Sequence, residues 1–284
     1  MFERDKRNDT IAARIRQART MKGWSRAELA ARVELSIPKI AKCEAGTIFI
    51  SDDIVFLFAR AFNLRRAFFV SDDNVKMSNV RFRTQINMTE RERDKLIETI
   101  KIRFETIKST IESIEHCPIP SFRPPRAKIE SPKDAFTFAV SLSQEWKITP
   151  DSNFIDILEN KGILFIEITG VSANFNGMAA IINEFPVIAV NSRRPEQQRE
   201  AISYALAFLL GIKGEELCNA FVRGIPKRDE YADEIEKSSF LEKLIWKTWL
   251  SEIIYHNDTE HYLCVSESAF KEMMEARLEG LKDE

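Results

Sequence analysis

Apolar residues recur at helical spacing through the first 70 residues of the chain, in four short patterns between residues 9 and 64. The first pattern consists of Ile11, Ile15, Ala18 and Met21, and it stops at Gly23. Each later pattern follows a serine that can accept the first hydrogen bonds of a helix, namely Ser25, Ser36 and Ser51. This segment is therefore predicted to be a bundle of short helices.

The pattern in residues 71–117 predicts a short extended segment at 80–84, followed by one long helix. Thr89 and Glu92 form a capping box where the helix begins. The apolar residues of the helix are three or four positions apart, as in a coiled-coil seam: Ile97, Ile100, Phe104, Ile107, Ile111 and Ile114. The stripe has two interpretations, a dimerisation helix or packing on the chain's own next domain, and the sequence leaves both open.

A proline-rich linker at 118–130 follows, with four prolines between residues 118 and 125. After it, residues 131–284 predict an α+β domain with helices near 131–142 and 153–160, a strand at 163–168 and a β-hairpin around 183–185. A helix at 196–210 is apolar on every side and is predicted to lie in the middle of this domain. The predicted fold is mostly α, with domains at 1–70 and 131–284 joined by a helical connector at 71–117.

The net charge of −2 conceals an asymmetry. Residues 1–70 carry 14 Lys+Arg and 8 Asp+Glu, whereas the remainder carries 28 and 36. A basic N-terminal unit points to a polyanionic partner for that end. The four cysteines lack the spacing of a disulfide framework or a zinc cluster, and no apolar stretch reaches the length of a membrane span. We therefore expect a cytoplasmic protein with reduced thiols and no membrane partner.

The first helical segment resembles the XRE family of lambda-repressor-like helix-turn-helix domains. The resemblance covers residues 8–69 and depends on Gly23, Ser25, Glu28, Leu29, Ala30, Ser36, Ile40, Glu44 and Gly46. The sequence departs from the family at Glu34, where the family often has glycine in the turn between the two helices. That turn must therefore be built with a strained or differently shaped residue.

The resemblance implies a double-stranded DNA operator as the partner, bound by a homodimer. The side chains that it places at the DNA are Arg26, Ser36, Ile37, Pro38, Lys39 and Lys42. The three cations among them can donate to guanine edges or phosphates, whereas Ile37 and Pro38 can make only apolar contacts. The alternative is a bundle that mediates protein contacts.

The C-terminal domain resembles the ImmA/IrrE family of metallopeptidase-like domains, which implies a zincin-like fold. The features that carry the resemblance are Phe175, Gly177, residues 186–188, Asn191, Arg199, residues 265–270 and residues 277–278. In that family the core helix carries H-E-x-x-H, whose two histidines bind zinc while the glutamate handles a proton. Here the corresponding positions hold Tyr204, Ala205 and Phe208. A third ligand, at Asp229 or Glu230, would not hold zinc alone.

The three histidines offer no substitute site, because His116 lies near the linker while His256 and His261 are five residues apart. We therefore expect no metal, no cofactor and no catalysis, and we interpret the chain as a transcriptional regulator of the phage-repressor, stress-regulator or antitoxin type. Tyr204 and Phe208 are better explained as core residues than as a site for a small ligand, peptide or partner protein. The alternatives are an antitoxin-like interaction module and, less favoured, an active metallopeptidase.

Overall fold

A computed structural model describes residues 6–72, 75–84, 88–112, 120–168, 175–191 and 195–228. These residues form two compact units. The first unit contains 6–72, 75–76 and 88–102, and the second contains 77–84, 103–112, 120–168, 175–191 and 195–228. Helices predominate, and no helix in these ranges is long and apolar enough to cross a bilayer.

The first unit is a bundle of short helices, which confirms the prediction for this segment. Its helices are α1 (Lys6–Lys22), α2 (Arg26–Val33), α3 (Ile37–Glu44), α4 (Asp52–Phe62), α5 (Arg66–Val70) and the first part of α6 (Glu90–Glu112). The predicted capping box before α2 is present, with the Ser25 hydroxyl accepting from the Glu28 N–H and the Glu28 carboxylate accepting from the Ser25 N–H. Ser36 also caps α3 with its side chain, whereas Ser51 occupies the N-cap of α4 without a side-chain bond.

Aromatic rings fill the centre of this bundle. Phe62 stacks on Phe58, Phe69 and Trp24, with the ring centroids of Phe62 and Trp24 5.3 Å apart. Around the rings lie the buried apolar residues predicted from the helical patterns, among them Ile11, Ile15, Leu29, Val33, Ile40 and Val55. The core therefore joins all five short helices.

The turn between α2 and α3 is built on Glu34 in the left-handed conformation, with φ 54° and ψ 37°. Its N–H donates to the carbonyl of Ala30, which closes the end of α2. A residue with a Cβ is strained in this region, and glycine is not. The expected strain at this corner is thus confirmed.

The second unit contains a four-stranded sheet in the order β1-β3-β4-β2, formed by β1 (Met77–Thr84), β2 (Leu164–Ile168), β3 (Phe175–Ile182) and β4 (Phe185–Asn191). The predicted hairpin is confirmed as β3 and β4, and Asn183 and Glu184 between them both have positive φ, as a two-residue turn requires. Strand β2 pairs parallel to β4, while β1 adds antiparallel to β3 as an edge strand. The extended piece predicted at 80–84 therefore forms part of the sheet of the second unit.

The described part of this unit also contains the helices α7 (Pro132–Trp146), α8 (Phe154–Asn160), α9 (Pro195–Leu209) and α10 (Glu215–Gly224). Helix α9 packs across β1, β3 and β4, and every residue from 201 to 207 is buried, as its apolar sequence predicts. The described part of the proline-rich segment has no helix or strand, but Phe122 and Ile129 pack against the core of this unit. Gly162 has φ 87°, and a Cβ there would lie 2.0 Å from the Pro120 carbonyl oxygen, so the segment rests directly on the glycine.

The boundary between the units is not at the proline-rich segment 118–130, where the sequence predicts it. It lies within α6, after Ile102, and β1 belongs to the second unit. The apolar stripe of α6 is also enclosed: Ile100, Phe104, Ile107 and Ile111 are buried, while Ile97 is partly buried. Ile114 lies outside the described residues. This burial favours packing within the chain over pairing of two subunits through the same residues.

The strain at the α2–α3 turn should be measurable. We expect Glu34→Gly to raise the free energy of unfolding by about 0.5–1 kcal/mol, because removing the Cβ relieves more strain than the extra freedom of glycine costs. Asn63→Gly is the matched control, since Asn63 also has φ 54° but asparagine tolerates this region. Urea unfolding of the full chain measures both variants, and equal effects of the two would contradict the strain at Glu34.

Candidate nucleic-acid interface

Helix α3 separates its residues into a buried face and an exposed face. Ile40 and Cys43 are fully buried in the core of the first unit. The exposed face consists of the N-cap and the side chains predicted to approach DNA: Ser36, Ile37, Pro38, Lys39 and Lys42. Ile37 is 49% exposed, although isoleucine is usually buried. An apolar side chain therefore shares this face with the two lysines and Ser36. The chemistry of this face is therefore cationic with an apolar patch.

The carboxylate of Glu44, at the end of α3, joins three helices. Its side chain has no exposed surface. Nε of Arg19 on α1 donates to one oxygen at 2.5 Å, and Nε of Arg26 on α2 donates to the other at 2.8 Å. Nη2 of Arg16 donates to the Glu44 backbone carbonyl at 2.7 Å. Charge-assisted hydrogen bonds thus fix α3 against both α1 and α2.

The environment of Glu44 keeps it ionised. Burial raises the pKa of the Glu44 carboxyl, but the hydrogen bonds and charges of Arg19 and Arg26 outweigh burial and hold the pKa below its ordinary value. A carboxyl whose pKa is lowered by folding stabilises the folded state above the unfolded pKa, and this stabilisation is lost as the pH falls through the folded pKa. The three-helix connection is therefore complete at neutral pH and weakens in acid.

A buried asparagine on α1 holds the loop that follows α3. The amide of Asn8 donates to the carbonyls of Gly46 and Ile48 and accepts from the N–H of Ile50 at 2.9 Å. Gly46 has φ 64°, and a Cβ there would lie 2.9 Å from a carboxylate oxygen of Asp9. The carboxyl end of α3 and the loop after it are consequently anchored to the bundle, while the outer face of the helix stays exposed.

The family model of the helix-turn-helix domain matches residues 10–67. Residues 10–67 form a helix-turn-helix domain. In such domains the second helix of the pair enters the major groove and the first crosses the phosphate backbone. Here α2 is the first helix of the pair and α3 is the second. No significant similarity to a curated protein or to a solved structure is found for this chain.

Arg26, one of the side chains predicted to contact DNA, also pairs with Glu44 inside the domain. Its Nε bonds to Glu44, but its side chain remains 48% exposed, so the guanidinium can still face a ligand. The sequence does not indicate the role of Glu44. It also does not indicate that three cations lie near the start of α2, namely Lys22, Arg91 and Lys95. The sequence contains Glu44 as one member of a motif, but nothing local indicates that two arginines 25 and 18 residues away bind it.

The positions predicted as a vestigial peptidase site lie on α9 in the core of the second unit. Tyr204 and Ala205 are buried, and Phe208 packs against the same core. Arg83 of β1 lies over the Tyr204 ring at 4.8 Å and bonds to the carboxylate and carbonyl of Glu200. These contacts are those of core residues, which is the interpretation that the sequence favoured.

Among residues 6–72, 75–84, 88–112, 120–168, 175–191 and 195–228, no three His, Cys, Asp or Glu side chains are grouped so as to hold a metal ion. The three histidines, Asp229 and Glu230 lie outside these ranges. Cys43 and Cys218 are free and buried, and burial raises the pKa of both thiols, which disfavours the reactive thiolate form.

Removing the charge of Glu44 should destabilise the helix-turn-helix domain, because it leaves a buried partner without its counter-charge. We expect Glu44→Gln to lower the free energy of unfolding at pH 7 by about 2–4 kcal/mol, because Arg19 loses its buried counter-charge while the more exposed Arg26 is partly solvated. Asp52→Asn is the control, since Asp52 pairs with Arg7 and Arg66 at the surface, and its effect should be much smaller. Urea unfolding at several pH values measures both variants.

The pH dependence has a definite sign. The stability of the unchanged protein should approach that of Glu44→Gln as the pH falls below the ordinary glutamate pKa and through the lowered one. A difference between the two proteins that stays constant from neutral pH into acid would show that the charge of Glu44 is not what stabilises the domain.

Proposed function

We propose that this chain is a cytoplasmic, sequence-specific DNA-binding transcriptional regulator that binds an operator as a homodimer. The observation that carries the proposal is the exposed face of α3. Lys39 and Lys42 are exposed on this face, and Arg26 at the start of α2 is 48% exposed, within a helix-turn-helix domain in which Glu44 holds α3 against α1 and α2. The basic balance of residues 1–70 supports the same partner, because a duplex attracts such a surface at long range.

The expected mode of readout follows from the side chains. Lys39 lies in the first turn of α3, where helix-turn-helix domains contact base edges, and it can donate to the acceptors of guanine. Ile37 and Pro38 have no side-chain donor and suit a thymine methyl group. Base readout by this helix is therefore modest, and much of the affinity must come from phosphates and from a second half-site.

A dimer is proposed because a single module of this size buries little DNA surface and gains affinity when two copies bind half-sites one helical turn apart. The enclosed stripe of α6 disfavours that helix as the dimer contact. The contact is therefore assigned to another surface, and the second unit is the leading choice.

For the second unit we propose a catalytically inactive, peptidase-like role in sensing or dimerisation. The sequence resemblance supports the fold, together with the order of helices, strand and hairpin that precedes α9. The side chains at positions 204, 205 and 208 support the loss of activity, because phenol, methyl and phenyl groups cannot provide two zinc ligands and a general base. We propose on these grounds that the chain is a regulator and not an enzyme.

A footprint on the DNA upstream of its own coding region tests the proposal. At physiological salt with excess competitor DNA, we expect protection of an inverted repeat whose half-sites are about one turn apart. The matched variant Lys39→Ala should lose about 1 kcal/mol of binding free energy and change the preferred base at one position of each half-site. Arg65→Ala, which removes an exposed cation before α5, should weaken binding evenly across sequences if Arg65 contacts DNA.

Two results would count against this function. Identical base preferences of the unchanged protein and Lys39→Ala would remove Lys39 from base readout. Failure of the folded protein to select any sequence from a random DNA pool would refute operator binding, and an interaction module that neutralises a partner protein would then be the better interpretation.

A further inference from the structure

Three cations of the first unit converge on the turn between α1 and α2. Lys22 is the last residue of α1, immediately before Gly23. Nη2 of Arg91 on α6 donates to the Gly23 carbonyl at 2.5 Å. The Lys95 side chain passes so close that a Cβ on Gly23 would lie 3.3 Å from its Cδ. Arg91 and Lys95 are four residues apart on one helix, so they share a face of α6.

From this arrangement we infer that Lys22, Arg91 and Lys95 form a phosphate-binding cluster that contacts the DNA backbone next to the bases read by α3. The inference rests on the proposed function, and it extends the DNA-binding surface beyond the helix-turn-helix domain. It assigns a role in DNA binding to α6, which lies outside the matched range 10–67.

The electrostatics of the cluster favour the binding of an anion. Lys22 and Lys95 are both partly buried, and burial together with the like charge of Lys95 lowers the pKa of Lys22. Neither lysine forms an ion pair with a carboxylate in the described part of the chain. The charge of Arg91 acts on Glu28, but the Glu28 carboxylate is already bonded in the α2 capping box. A bound phosphate would offset this repulsion.

The position of the cluster agrees with the docking of the helix pair. The turn at Gly23 leads directly into Ser25 and Arg26 at the start of α2, the helix that crosses the phosphate backbone in helix-turn-helix complexes. The amino end of a helix carries a partial positive charge, which further favours an anion at this place. Phosphates beside α2 would therefore meet cations from three segments: α1, α2 and α6.

The test compares two variants of the full chain that keep the length of the side chain and remove its charge. The double variant Lys22→Met and Lys95→Met removes two cations of the cluster. The control, Lys101→Met, removes a lysine of the same helix that is already paired with Glu98 at 2.7 Å. The affinity for operator DNA is measured over a range of salt concentrations, and the unfolding free energy is measured without DNA.

We expect the slope of log K against log salt to become shallower by up to about 1.8 in the double variant, because each lost phosphate contact contributes about 0.9. Lys101→Met should leave the slope unchanged. The double variant should be at least as stable as the unchanged protein, since it removes a repulsion. A loss of stability together with an unchanged slope would show that the two lysines have only a structural role.

The outcomes separate this inference from the proposed function. If the unchanged protein binds its operator but the double variant keeps the full slope, the cluster does not contact DNA and the proposed function stands. If the unchanged protein binds no DNA, both fail. Melting in sodium phosphate and in sodium chloride at equal ionic strength detects a free-anion site: specific stabilisation by phosphate that the double variant loses, with an unchanged slope, would overturn the assignment to DNA.

Discussion

The position of the recognition helix depends on one buried carboxylate. Glu44 has no contact with water and would be costly to bury alone, yet arginines from α1 and α2 bond to both of its oxygens. A buried ion pair of this kind is weak evidence for added stability, because a well-packed apolar group can do as well. What the ion pairs add is a defined position. Charge-assisted hydrogen bonds are directional, so the two guanidinium groups fix where the end of α3 lies in the bundle.

That constraint explains how a small domain presents a rigid surface. The inner face of α3 is held by Ile40, Cys43 and Glu44, and Asn8 holds the loop beyond it. The outer face is then free to carry side chains chosen for a ligand rather than for packing. An exposed isoleucine and two lysines in this position are costly or neutral for folding, and the proposed contact with DNA accounts for them.

Local chemistry allowed much of the first unit to be predicted from the sequence. Serine caps mark where α2 and α3 begin. Glu34 stands where related domains often have glycine, and this predicts the strained turn that the structure contains. In the second unit, the hairpin and the buried helix α9 follow from short patterns in the same way. Each of these features is decided by residues within a few positions of one another.

The features that could not be predicted depend on partners distant in sequence. Strand β1 has an ordinary extended pattern, but its pairing with β3 joins residues about a hundred positions apart. The stripe of α6 has the spacing of a coiled coil, and only the three-dimensional packing shows that the chain itself buries it. The cluster at Gly23 forms because α6 contacts the turn after α1, and no local motif in the sequence predicts that contact. Helix spacing identifies an apolar or basic face, but it does not identify what covers that face.

The central claim is that α3 and the start of α2 meet DNA. Amide hydrogen exchange of the full chain, with and without a DNA duplex selected by the protein, tests it most directly because it reports every segment at once. The expected result is slower exchange on DNA binding at residues 22–28 and 36–44, with little change on the outer face of α4, where Phe56 is exposed. Protection confined to α4 or to the second unit would contradict the claim.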